Sequence, residues 1–300
     1  MKFKERQSLV YIILVNWDGL GDTLECLASL NKIDYKNYRI IVVDNGSKNN
    51  QANIIKERFP KIELIKNKEN KGFVIANNQG IEQALKNNTD YILLLNNDTV
   101  VKRNFLDVLI EYAEQNRDVE ILSPKIVYYN SNIIWSMGGK ISYLTGFSIM
   151  IGKGGNSENY NEVIEPDFVS GCAMLIRNEV IKKIGLLDPV YFAYYEDADY
   201  CFRVGELGYK IKVIPESIIW HKKSASAGLQ GSDRLTPIQA YYFSRNALIF
   251  AKKNLRGFKK ALFISAQFTL RLLYNLIQSQ NNQARLNYLK GLYTGLRVGV

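Results

Sequence analysis

Within the first hundred residues, short apolar runs alternate with stretches of helical periodicity, and this alternation constrains the fold more than any other feature of the chain. Leu9–Val15, Arg39–Val43, Ile62–Ile65 and Tyr91–Leu95 are almost continuously apolar, as strands covered on both faces must be. Leu20–Leu30, Gln51–Phe59 and Val74–Leu85 between them carry helical patterns. That order predicts an α/β fold, a mostly parallel sheet flanked by helices. Polar residues follow the strands: Asn16 after the first, Asp44-Asn45-Gly46-Ser47 after the second, and Asn96-Asn97-Asp98 after the fourth. Open α/β sheets bind ligands outside the carboxyl ends of their strands, so this edge is the candidate site.

From about Val119 the pattern loosens, and Gly138, Gly139, Gly146, Gly152, Gly154 and Gly155 mark turns rather than a long helix. Further on, Phe168–Arg177 reads as a strand interrupted by Gly171, Asn178–Ile184 and Asp197–Leu207 as helices, and Tyr209–Ile214 as a strand. The small and polar residues after His221, KKSASAGLQGSDR, predict a mobile loop. The basic start MKFKER leads into a short apolar run ending at Asn16 and Asp18, which we read as a first strand and not as a cleaved leader. Cys26, Cys172 and Cys201 form no C-x-x-C pair and are odd in number, which fits a reducing compartment. Sequons at Asn45 and Asn97 fall within the candidate site, where a glycan has no room.

Three segments carry possible chemistry. In LLLNNDT, Asp98 at a strand end can hold a hard divalent cation or cap the helix predicted near Lys102. In YFAYYEDADYCFR, the crowded Glu196, Asp197 and Asp199 raise one another's proton affinity, which suits a base near neutral pH. The same acids equally suit the positive end of a helix dipole. The single histidine, His221, follows Trp220 and is either a ligand or structural.

Taken in order, VNW at Val15–Trp17, VVDNGS at Val42–Ser47, NKGFVIANN at Asn70–Asn78, LLNND, YYEDADYCFR and WH resemble the family 2 glycosyltransferases of the GT-A (Rossmann-like) fold, particularly the rhamnosyltransferase-like branch. The resemblance covers about residues 8–250. It implies an inverting transfer of a sugar from a nucleotide-sugar donor to an acceptor hydroxyl, in cell-surface polysaccharide or glycolipid assembly. It places Asn16 and Asp44 in the nucleoside pocket, Gly72, Asn77 and Asn78 beside the nucleotide, and Asn96 and Asn97 on the donor. It makes Asp98 and His221 ligands of a divalent metal, Mn or Mg, Asp197 the general base and Glu196 its acidic neighbour. Asn96 stands where the family's metal motif has an acid, which leaves fewer anionic ligands. dTDP-rhamnose is the first donor implied and a UDP-sugar the second, with a saccharide or lipid-linked saccharide as acceptor.

Gly19-Leu20-Gly21-Asp22-Thr23-Leu24 partly imitates a dinucleotide fingerprint, but Leu24 occupies the third glycine's place and a dehydrogenase leaves Asp98 and Asp197 without a role. A sugar nucleotidyltransferase would carry a basic glycine-rich loop after strand one, where this chain is acidic. A non-catalytic membrane-docking module would explain the tail but not the carboxylates. Most of the net charge of +10 lies after Asp233, where no acidic residue occurs. No nucleic-acid-binding motif accompanies that charge, so a membrane surface is the expected partner. The chain divides into a catalytic domain at 1–235, with a nucleotide-sugar half to about 118 and an acceptor half to 235, and a basic, amphipathic helical tail at 236–300. Ala261–Ile277 falls short of the roughly 20 apolar residues of a span. With Phe258, Phe263 and Phe268 it is expected to lie on the cytoplasmic face of a membrane. A chain ending near Asp233 is then expected to stay soluble.

Overall fold

The computed structural model describes residues 7–222 and 234–300, so the predicted loop after His221 lies, apart from its two ends, outside the described residues. The chain opens with β1 (Val10–Asn16), α1 (Leu20–Leu30), β2 (Tyr38–Asn45), α2 (Gln51–Arg58), β3 (Glu63–Asn67), α3 (Phe73–Leu85) and β4 (Tyr91–Leu95). These four strands pair in parallel in the order β3-β2-β1-β4, with Asn16 opposite Asp44, so their polar ends line one edge.

The second part runs β5 (Thr99–Val101), α4 (Phe105–Gln115), β6 (Val119–Tyr128), β7 (Ile134–Ser136), β8 (Gly139–Ile141), β9 (Ser148–Met150), β10 (Ala173–Arg177), α5 (Asn178–Ile184), α6 (Glu196–Gly205) and β11 (Lys210–His221). The main sheet continues β4-β10-β6-β11-β5, with β10 antiparallel to both neighbours and β7 on β6; β8 and β9 form a separate hairpin. Because β10 runs against β4, its first residue Ala173 faces Leu95, the last of β4. The segment before β10 therefore lies at the candidate edge.

Alternation along the strands divides the core. Val10, Ile12 and Leu14 face one layer with Leu27, Ile55 and Leu109 from α1, α2 and α4, while Tyr11 and Ile13 face another with Val74, Val204 and Phe250. Three expectations shift. The helix foreseen near Lys102 starts at Phe105, because residues 99–101 pair with β11 as a strand. The loose pattern from Val119 conceals a ten-residue strand, buried except at its last residue. Its polar residues have partners: Lys125 Nζ donates to Ser157 O (2.8 Å) and Tyr160 O (2.9 Å), and Glu120 lies 3.3 Å from Arg177. The strand expected to end at Ile214 continues to His221.

The chain ends in α7 (Pro237–Asn254), α8 (Gly257–Phe268), α9 (Leu270–Gln278) and α10 (Asn282–Arg297). A capping box starts α7: Thr236 Oγ1 accepts from Gln239 N, and Gln239 Oε1 accepts from Thr236 N. Ala247, Ile249, Phe250, Ala251, Leu255 and Phe263 all belong to the core cluster beneath α6. Phe263, expected at a membrane boundary, is 1% exposed and unavailable to lipid. Nor can a chain ending near Asp233 be expected to stay soluble, since it would bare this layer. Among the described residues, no helix is long and apolar enough to cross a membrane.

Candidate active site

At the ends of β1 and β2 the polar side chains form one network. Asn16 Nδ2 donates to Asp44 (2.8 Å), Ser47 (2.9 Å) and Gln51 (3.2 Å), while Asn16 Oδ1 accepts from Thr23, whose hydroxyl accepts in turn from Asn97. Asn16 and Asp44 are buried. Asn45 extends the network to the next turn, donating to Asn70 and Gly72 O and accepting from Lys71 N. Gly72 has a φ of +87°, and a Cβ there would lie 2.6 Å from the Phe192 ring. Only glycine lets Phe192 cover the start of α3.

Asn77 and Asn78 are not gathered into this network. Buried Asn77 donates to Phe73 O within its own helix, and Asn78 exchanges two hydrogen bonds with the backbone of Leu187, tying α3 to the segment before α6. Asn96 meets the site through its backbone, donating its N–H to Cys172 O at 2.8 Å.

Asp98 and His221, 123 residues apart in sequence, come together because β11 pairs with β5 and sets His221 opposite Thr99. His221 Nε2 lies 3.2 Å from Asp98 Oδ2, both side chains are nearly buried, and the Trp135 ring packs edge-on against the imidazole. Burial alone would favour neutral imidazole; Cys172 and the Asp98 carboxylate outweigh it and push His221 up to about 10. His221 Nδ1 is buried without a hydrogen-bond partner. The neighbouring Lys222 bridges Asp22 and Glu25, so the acidic turn after β1 is neutralised from β11.

The third group sits at the start of α6. Asp197 accepts from Gly171 N (3.0 Å) and Ala198 N (2.7 Å); burial raises its proton affinity and these amides oppose the rise. Glu196 is 6% exposed and its Oε2 has no partner; burial, then the adjacent Asp197, hold its carboxyl well above the usual range. Of the two carboxyls, Glu196 is held the more strongly toward its protonated form. Asp199 is fully engaged elsewhere, by Arg203, Lys253 and Asn254. The residues that sequence reasoning missed are Ser47, Gln51 and Thr23 in the first network and Gly171-Cys172 between the carboxylates. Gly171 N donates to Asp197, and Cys172 O accepts from Asn96 N, with the Cys172 thiol beside His221. The break at Gly171 in an otherwise apolar run was the available signal.

A nine-stranded sheet with this order and its polar strand ends gives the molecule the GT-A fold. It aligns with GalNAc-T7 bound to UDP, GalNAc and Mn2+ at a TM-score of 0.61 and 17% identity, covering 73% of this chain and 44% of that one. Staphylococcus aureus TarS 1–349 aligns at 0.60 and 13% identity, covering 96% and 80%. The chain belongs to glycosyl transferase family 2, whose model matches residues 11–185. Among its relatives, the dTDP-rhamnosyl transferase RfbF of Shigella flexneri is 22% identical over 94% of this chain and 92% of its own length. The N-acetylglucosaminyl-diphospho-decaprenol L-rhamnosyltransferase of Mycobacterium tuberculosis H37Rv is 25% identical over 70% and 74%. The protein is a glycosyltransferase that uses a nucleotide-sugar donor, which displaces the dehydrogenase, nucleotidyltransferase and docking-module alternatives.

Proposed function

We propose that this protein is an inverting rhamnosyltransferase, moving rhamnose from dTDP-rhamnose to a hydroxyl of a saccharide or lipid-linked saccharide, with a UDP-sugar as the second candidate donor. The observation that carries this reading is the pairing of two separate carboxylate positions, Asp98 with His221 and Asp197 with Glu196, through the single segment Gly171-Cys172. One displacement at an anomeric carbon needs a base for the acceptor hydroxyl and a counter-charge for the departing diphosphate, and no covalent nucleophile. Asp197 takes the proton. The network of Asn16, Asp44 and Asn97 orients the nucleoside and donor, with Gly72 beside it. The names of the two bacterial relatives favour rhamnose.

Among the described residues, no group of three or more histidine, cysteine, aspartate or glutamate side chains is arranged around a metal position. Two donor atoms nevertheless fit one. An octahedral cation with ligands at about 2.1 Å keeps neighbouring ligands about 3 Å apart, and Asp98 Oδ2 and His221 Nε2 are 3.2 Å apart, so a cation there would take the place of the proton that now links them. A Mn or Mg ion held there would neutralise charge on the leaving diphosphate, which would supply its remaining ligands with water. His221→Ala is expected to raise the Mn²⁺ concentration for half-maximal activity at least tenfold, since disturbing a metal site typically costs about 10–100-fold in affinity. An unchanged metal titration would return His221 to a structural role. A thermal-shift screen identifies the donor: a nucleotide sugar at one hundred times its Kd should add about 2.7 kcal/mol. A shift with UDP-sugars and none with dTDP-rhamnose would replace rhamnose.

Docking on the inner face of a membrane completes the proposal. Residues 234–300 carry eleven basic and no acidic side chains. With Phe263 buried, the apolar face available to lipid is Leu270, Leu273, Tyr274 and Ile277 on α9, 45–65% exposed and spaced i, i+3, i+4, i+7. The protein should sediment with anionic vesicles at low salt and release as salt rises, and Leu273→Asp/Ile277→Asp should stay in solution. Equal sedimentation of both would remove α9 from the account.

A further inference from the structure

Two consecutive tyrosines precede the carboxylates in left-handed conformation, Tyr194 at φ +68° and Tyr195 at φ +73°. Bulky residues rarely adopt it, and such backbone persists only where its surroundings hold it. The surroundings here come from α7. Asn246, 0% exposed, donates its amide N–H groups to Ala193 O and Tyr194 O, both at 2.8 Å. Arg245 donates to Asn246 Oδ1 (2.7 Å) and to Val190 O (3.0 Å), which fixes which way the amide faces. Phe243 packs on Tyr194 with ring centroids 4.5 Å apart, and Phe250 packs on Tyr195 at 5.8 Å. Tyr195 is the N-cap of α6, and its carbonyl receives the helix's first bond, from Asp199 N at 2.8 Å. A shift of this backbone therefore moves Glu196 and Asp197 directly.

We propose that Asn246 is a positioning residue for sugar transfer, holding the strained Ala193–Tyr195 backbone so that Asp197 faces the acceptor hydroxyl. The claim rests on the reading of Asp197 as the base. Asn246 itself touches neither donor network nor metal position, so its effect belongs to the transfer step. In Asn246→Ala, kcat should fall about 10- to 100-fold, the scale expected when a reacting group is misplaced by about 1 Å, and the donor KM should stay within about twofold, as for an interaction made only in the transition state. The decisive comparison repeats the substitution in a Tyr194→Gly background. Glycine adopts positive φ without strain, so the backbone there depends less on Asn246, and the further loss in kcat should shrink to under about threefold. Asn246→Ser, which opens less space, carries the same test if Asn246→Ala does not fold. Undiminished kcat, a donor KM that rises as kcat falls, an equal loss in the Tyr194→Gly background, or failure of both Asn246 variants to fold would each overturn the proposal. Wild-type turnover in Asp197→Asn would instead remove the base assignment; an inactive Asp197→Asn beside a fully active Asn246→Ala removes the positioning role alone.

Discussion

Asp197→Asn is expected to lower sugar transfer by about 10²–10⁴-fold, the usual cost of losing a general base, while leaving donor binding intact. The amide keeps the shape of the side chain, and one oxygen remains to accept from Gly171 N or Ala198 N. What disappears is the ability to take a proton. The network of Asn16, Asp44, Ser47 and Gln51 proposed to hold the nucleoside lies at the ends of β1 and β2 and includes no atom of Asp197. The pH dependence of the unmodified enzyme follows from the same residues. A base works deprotonated, and burial raises Asp197 above its ordinary value, so kcat should begin to fall, as pH is lowered, above the usual carboxylate range. Glu196, raised further, favours its protonated form more strongly than Asp197. Near wild-type turnover in Asp197→Asn, measured as nucleoside diphosphate released, would move the base elsewhere.

Deleting residues 236–300 is expected to abolish folding, not merely membrane contact. Ile249, Phe250, Leu255 and Phe263 are at most 4% exposed and belong to the same core layer as Val74 and Val204. Burying each contributes about 1.5–3 kcal/mol, and four such losses rival the 5–15 kcal/mol that typically separates a folded domain from its unfolded chain. Polar consequences add to this. Asp199 is fully buried and would lose Lys253 and Asn254, keeping Arg203 as its cationic partner. A buried carboxylate that loses two of its partners is destabilised, though Arg203 still pairs with it. Circular dichroism and thermal melting of the shortened chain test this directly; a soluble product with a cooperative melting transition would show that the helices are an accessory layer.

The parallel half of the sheet was legible because the cores of β1, β2 and β4 are buried on both faces by apolar runs, so hydropathy and burial coincide there, while β3 at the sheet edge is only half-buried. β6 was not, because Glu120, Ser123 and Lys125 interrupt it, and each is accommodated by partners distant in sequence: Arg177, Ala173 O and Ser157 O. The contact between Asp98 and His221 likewise depends on the pairing of β5 with β11, which no local pattern encodes. The amides of Asn77 and Asn78 could not be told from ligand-binding ones, since a side chain that bonds a neighbouring backbone and one that bonds a nucleotide use the same residue type. The tail was hardest. A helix face that covers a core and one that lies on lipid have the same apolar spacing, and only packing separates Phe263 from Leu273.

The measurement that bears most directly on the central claim is nucleoside diphosphate release when the purified protein is incubated with dTDP-rhamnose, UDP-sugars or no donor, in the presence of Mn²⁺ or Mg²⁺ and a lipid-linked saccharide acceptor. Release is expected from dTDP-rhamnose, dependent on the acceptor and the cation, and lost in Asp197→Asn. Folded protein that releases no nucleoside diphosphate from any of these donors, or releases it equally well with Asp197 replaced, would contradict the account.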